Sequence, residues 1–82
     1  MSFGAPKTRV RNRIRALRFE RGEMTQQALA DAIGLTRQTV IAIEQGRYSP
    51  SLEAAFRIAE VFGVPLEEVF QYGEEPKAGG SP

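Results

Sequence analysis

Cysteine and histidine are both absent from the 82 residues. The chain can therefore build neither a disulfide framework nor a Cys/His metal site, and one domain of this size has to be held by its apolar core. The same absence removes the usual nucleophile and base pairs. The glycines form no phosphate-cradling pattern, and Glu67 and Glu68 stand together at a helix start, where acidic residues simply suit the dipole. No enzymatic activity, cofactor or metal is expected. No apolar run approaches the ~20 residues of a membrane span, and the N-terminus lacks a signal-peptide core, so a soluble cytoplasmic protein without a membrane partner is expected. A large net charge is missing too, at +1 overall. Its distribution is uneven: residues 1–21 hold seven Lys and Arg against one Glu, and residues 65–82 hold four Glu against one Lys. Such asymmetry suits a chain with one end toward phosphate and the other away, or merely a solvated basic helix face.

What the chain does contain is the stretch Thr25 to Gly46, TQQALADAIGLTRQTVIAIEQG, which reads as two short helices joined by a tight turn. Leu29, Ala30 and Ile33 share one helical face, and Val40 and Ile43 share another, so the two halves imply one core. Ala30 is small enough to let the second helix approach closely. Gly34, without a Cβ, can end the first helix at positive φ and turn the chain within a few residues. Thr25 and Thr36 each stand where a side-chain oxygen can accept from a free helix N–H. The capping boxes are incomplete, because Ala28 and Thr39 occupy the third helical positions. Ordinary helical hairpins share some of these features, but their combination favours a DNA-binding helix-turn-helix.

Apolar spacing predicts three further helices. Val10, Ile14 and Leu17 recur at helical period and mark a first helix with its body over 11–21, Arg11, Arg15 and Arg18 lying on another of its stripes. Leu52, Ala55, Phe56, Ala59 and Phe62, with Ile58 beside them, mark a core helix over 52–62, with Ser51 as its cap and Gly63 as its end. Pro65 suits a helix start, and Leu66, Val69 and Phe70 form a short fifth helix. Residues 1–8 read as a flexible leader and 74–82 as a disordered tail. One domain, 9–73, is expected, with its motif at 25–45.

This stretch continues as TQQALADAIGLTRQTVIAIEQGRYSPSLEAAFRIAEVFGVPLEEVF and resembles the Cro and phage-repressor type of helix-turn-helix domain, the XRE family. The likeness runs from about Arg11 to about Tyr72 and is most specific in Thr25-Gln26, Ala30, Gly34, Arg37-Gln38-Thr39, Glu44, Gly46, Pro50-Ser51-Leu52 and Ala59. It implies an all-α, five-helix lambda-repressor-like fold, most similar to the compact stand-alone members. In some of these a strand after the fifth helix pairs with an N-terminal strand, and Val69–Gly73 and Lys7–Arg11 stand in the corresponding places. Three departures are visible: Glu23 lengthens the loop after the first helix, Phe19 stands where a polar residue is usual, and Pro65 replaces a Ser cap.

Site residues can then be assigned as expectations. The second motif helix enters the major groove with its N-terminal residues toward base edges, which are Arg37, Gln38 and Thr39, with Ala42 one turn on. Gln26 and Thr36, together with Gln45, Arg47 and Tyr48 through side chains and free N–H groups, are expected at phosphates. For Arg37 the rival role is a phosphate contact; for Tyr48 it is packing on the fourth helix. The resemblance makes Arg18 and Glu44 a structural ion pair, either buried or exposed. It also places a dimer contact at the C-terminal end, where Leu66, Val69, Phe70 and Tyr72 concentrate; Val69 and Phe70 would otherwise cap the monomer core. The expected function is a sequence-specific regulator of double-stranded DNA, chiefly a homodimeric repressor on a near-palindromic operator. The alternatives are an antitoxin that also binds a toxin, and a protein–protein adaptor on the same fold.

Overall fold

A computed structural model describes residues 8–73. Apart from Thr8, the expected leader and the expected tail lie outside the described residues. The chain runs β1 (Val10–Asn12), α1 (Ile14–Glu20), α2 (Gln26–Ile33), α3 (Arg37–Glu44), α4 (Leu52–Phe62), α5 (Leu66–Val69) and β2 (Phe70–Tyr72). The described residues thus form five helices, and β1 and β2 add a two-stranded antiparallel ribbon in the register Val10 to Tyr72, Arg11 to Gln71 and Asn12 to Phe70.

The ribbon corrects the expected first helix, which starts at Ile14 and not at 11. Asn12 sets the break. Its Oδ1 accepts from the Ile14 N–H at 3.1 Å, and its Nδ2 donates to the Ile43 carbonyl at 2.8 Å. A short amide side chain that bonds the backbone two residues ahead competes with helix propagation. The Arg13 N–H is meanwhile taken by the Val69 carbonyl at 2.9 Å. Val10 and Arg11 are therefore strand residues. Arg11 leaves the Arg15 and Arg18 stripe, and its Nε donates to the Gly73 carbonyl at 2.6 Å.

The starts of α2, α3 and α4 follow the sequence reading, whereas Phe70, expected in the fifth helix, begins β2. Thr25, Thr36 and Ser51 each accept from the backbone N–H three residues on, at 2.9, 3.1 and 3.1 Å. Pro65 precedes α5 without a side-chain cap. The core is formed by Ile14, Leu17, Leu29, Ala30, Ile33, Val40, Ile43, Ile58, Ala59, Phe62 and Val69. Each of its large side chains contributes about 1.5–3 kcal/mol through removal from water.

Two packing expectations are corrected. The buried face of α4 is Ala54, Ala55, Ile58, Ala59 and Phe62, whereas Leu52 and Phe56 are 68% and 51% exposed. Apolar residues in this helix span a wider arc than the core can cover, and the helix turns its Ala54–Ile58 side inward. Val69, expected at a dimer contact, is fully buried in the monomer. Leu66 and Phe70 pack partly against that core, and Tyr72 remains exposed.

Candidate nucleic-acid interface

The motif is built by one turn and two anchors. Gly34 takes φ 76° and ends α2, and the Leu35 N–H returns to the Ala30 carbonyl at 3.0 Å. A residue with a Cβ would be strained there. The chain then meets Thr36, whose Oγ1 accepts from the Thr39 N–H and also lies 3.0 Å from the Thr39 hydroxyl. With Val40 and Ile43 directed into the core, α3 leaves its N-terminal end outward: Arg37 and Gln38 are exposed, while Thr39 and Ala42 are half-buried. The Thr39 hydroxyl is thus engaged with its own cap.

The far end of α3 is held by Glu44. Arg18 Nε donates to its Oε2 at 2.6 Å and Nη2 to its Oε1 at 3.2 Å, giving the two-pronged geometry of a guanidinium on a carboxylate. The Arg18 and Glu44 side chains are only 8% and 9% exposed, so the buried alternative is the one realised. Arg18 Nη1 donates to the Met24 carbonyl at 2.7 Å, and Gln26 Nε2 donates to Glu44 Oε1 at 3.1 Å. The Glu44 carboxylate thereby joins α1, the start of α2 and the end of α3, and Arg18 adds the loop before α2. Gln26 Nε2 carries two hydrogens, so one remains for an outside acceptor.

Among the expected phosphate residues, Thr36, Gln45, Arg47 and Tyr48 are exposed and Gln26 is half-buried. Tyr48 leaves about half its surface in solvent, at 50%. One expectation fails: the Gln45 and Arg47 N–H groups are not free. They return to the Ile41 and Ala42 carbonyls at 3.0 and 3.1 Å, because the helix end closes on itself through Gly46. Only the side chains of these two residues face outward unspent.

The charges sort in the same way. Arg13, Arg18 and Arg57 have carboxylate partners. Among the described residues, Arg15, Arg37 and Arg47 take part in no salt bridge. Arg15, Phe19, Gln26, Arg37 and Gln45 line one open groove between α1 and the outer edge of the motif. Among the described residues, no group of His, Cys, Asp and Glu is arranged to hold a metal ion, and no helix is long and apolar enough to cross a membrane.

Sequence reasoning overlooked Asn12 and Arg57. Arg57 donates to the Ile33 carbonyl at 3.4 Å and to Glu53 at 3.0 Å, so it closes the end of α2 from α4. The Glu53 to Arg57 spacing of four was the available signal for the second bond. Nothing local announced the first, which links residues 24 apart.

Comparison with known proteins places this geometry. The helix-turn-helix family model matches residues 14–69. An HTH-type transcriptional regulator of Methanocaldococcus jannaschii is 52% identical over 52 residues, covering 63% of this chain and 79% of the relative. One from Methanothermobacter thermautotrophicus is 49% identical over 67 residues, covering 80% of this chain and 96% of the relative. The cryptic phage CTXphi transcriptional repressor RstR of Vibrio cholerae is 38% identical over 63 residues, covering 77% of this chain and 56% of the relative. The chain therefore belongs to the XRE-type helix-turn-helix family and is a transcriptional regulator with a helix-turn-helix DNA-binding domain.

Proposed function

We propose that the protein is a repressor that binds a near-palindromic operator as a homodimer, with Arg37, Gln38 and Thr39 toward base edges and Ala42 completing the surface. The observation that carries this reading is the contrast between the two ends of α3. Its C-terminal end is bound to α1 and α2 through Glu44, while its N-terminal end presents Arg37 and Gln38 to solvent, Arg37 without a carboxylate partner among the described residues. Rigid support behind exposed donors is what direct readout of a groove requires. Arg offers two bonds to guanine O6 and N7, and Gln can pair with adenine N6 and N7. Gln26, Thr36, Gln45, Arg47 and Tyr48 surround that end as backbone contacts. The likeness to a phage transcriptional repressor favours repression over activation.

A single recognition helix reads few base pairs, so two copies are needed about one turn, ~34 Å, apart. An apolar surface supports their association. Exposed Leu52 and Phe56 line one groove, and Phe56 and Leu66 line the next. Contiguous apolar surface on a small monomer marks an association site. Leu66, Phe70 and Tyr72 keep their assignment to the contact, and Leu52 and Phe56 join them in place of Val69.

Selection of bound duplexes from random DNA tests the assignment. Arg37→Ala should relax preference at one position per half-site and cost about 1–3 kcal/mol on the preferred sequence. An unchanged set of selected sites in that variant would show that Arg37 is not the reader.

A further inference from the structure

The exposed face of α1 carries a pair that the motif does not explain. Phe19 is 51% exposed on a helix whose neighbouring Ile14 and Leu17 are buried. Two guanidiniums lie over its ring, with the Arg15 and Arg18 Cζ atoms each 5.5 Å from the centroid. The two cations differ in kind. Arg18 is neutralised by Glu44 and bonded to the Met24 carbonyl. Arg15 is exposed and, among the described residues, enters no salt bridge.

An aromatic ring attracts a guanidinium without cancelling its charge or occupying the N–H groups on its edge. A carboxylate four residues along the same helix face would do both. Phe19 therefore orders Arg15 and leaves its donors available. Arg15 and Phe19 also line the same groove as Gln26, Arg37 and Gln45. On the reading proposed above, α3 meets the bases there, so a cation one helix further back stands at the rim of the groove, where the sugar-phosphate chain runs.

We infer that Arg15, positioned by the ring of Phe19, binds a DNA phosphate at the edge of the recognition site, so that α1 extends the footprint beyond the helix-turn-helix itself. The inference rests on the DNA-binding reading of α3. Arg15 adds affinity and orientation and carries no base preference. Phe19 acts through Arg15 and is a positioning residue.

The test measures affinity for the selected operator and for unrelated duplex over a range of salt, with Arg15→Ala, Phe19→Leu, Phe19→Tyr and the Arg15→Ala/Phe19→Leu double variant. Both positions are exposed, and urea unfolding checks that every variant folds. Arg15→Ala should weaken both duplexes by a similar factor, on the order of tenfold at low salt. It should also reduce the steepness of log K against log salt by about 0.9 per bound copy, with the selected sites unchanged. Phe19→Leu should weaken binding by a smaller factor, Phe19→Tyr should restore it, and the double variant should bind no worse than Arg15→Ala alone. An unchanged salt slope in Arg15→Ala, or an altered base preference, overturns the phosphate contact. Additive losses in the double variant overturn the positioning role. A wild-type chain that binds no duplex at any salt overturns this inference together with the reading it rests on, whereas wild-type binding with an unaffected Arg15→Ala overturns this inference alone.

Discussion

At the scale of single residues, Glu44 is the hub, because three donors from two other elements, Arg18 Nε and Nη2 from α1 and Gln26 Nε2 from α2, converge on its carboxylate. Its partner Arg18 is almost wholly out of water, and a buried guanidinium is tolerable only when its donors are met. Arg18→Ala leaves the Glu44 carboxylate buried with Gln26 as its one remaining partner among the described residues. The expected loss of folding stability is about 3–5 kcal/mol by urea unfolding. Arg15→Ala, on the same helix but exposed, should cost less than about 1 kcal/mol. Small and equal losses in the two variants would show that the pair contributes little to stability. The Arg18 and Glu44 pairing was expected from the resemblance; spacing alone could not reveal a contact between residues 26 apart. Phe19 was visible as an oddity, and its contact with two guanidiniums of its own helix emerged only from the side-chain placement.

At the scale of elements, starts are written locally and extents are not. Each of the three capping hydroxyls lies three residues from the N–H it serves, so a Thr or Ser before an apolar period is a sufficient signal. Ser51→Ala should therefore lower stability by about 1 kcal/mol, seen as a lower urea midpoint with the slope unchanged. The start of α1 is of another kind. Val10, Ile14 and Leu17 fit a continuous helix, yet Val10 belongs to a strand because Phe70–Tyr72 lies alongside to pair with it. Asn12 stabilises the break by bonding Ile14 ahead and Ile43 across the fold. Asn12→Ala leaves one of the Ile43 carbonyl's acceptor sites unmet and removes the bond that begins α1. The expected loss is about 1–3 kcal/mol, read by the same unfolding measurement.

At the scale of the whole molecule, the cations unpaired among the described residues and the exposed apolar side chains of α4 lie on different elements. Arg15, Arg37 and Arg47 carry no salt bridge among the described residues, while Leu52 and Phe56 expose a ridge on α4 that continues to Leu66. Under the dimer proposal, Phe56→Glu should give a folded monomer by sedimentation, with operator binding greatly weakened. The added carboxylate would have to be desolvated in the contact without a partner. Phe56 is half-exposed, so the fold itself should survive. A persistent Phe56→Glu dimer would place the contact on another surface. Phe70 is a poorer probe, because it packs against the core and pairs with Asn12 in the ribbon.

The sequence by itself determined whatever depends on neighbours within about four residues: the caps at Thr25, Thr36 and Ser51, the left-handed turn at Gly34, and the inward faces of α2 and α3. Those features follow from hydrogen-bond reach and helical period, which operate within one or two turns. The backbone N–H groups of Gln45 and Arg47 belong with the local features, since the closing turn of α3 takes them within five residues and leaves those residues only their side chains to offer. Tertiary structure decided what depends on which surfaces meet. It drew Val69 from the expected contact into the core, turned Leu52 and Phe56 outward, and delayed the start of α1 to Ile14 by pairing Val10–Asn12 as a strand. Each of these outcomes depends on a finite core that can cover only part of the apolar surface the chain supplies, and on backbone groups that bond to whatever the fold brings within reach.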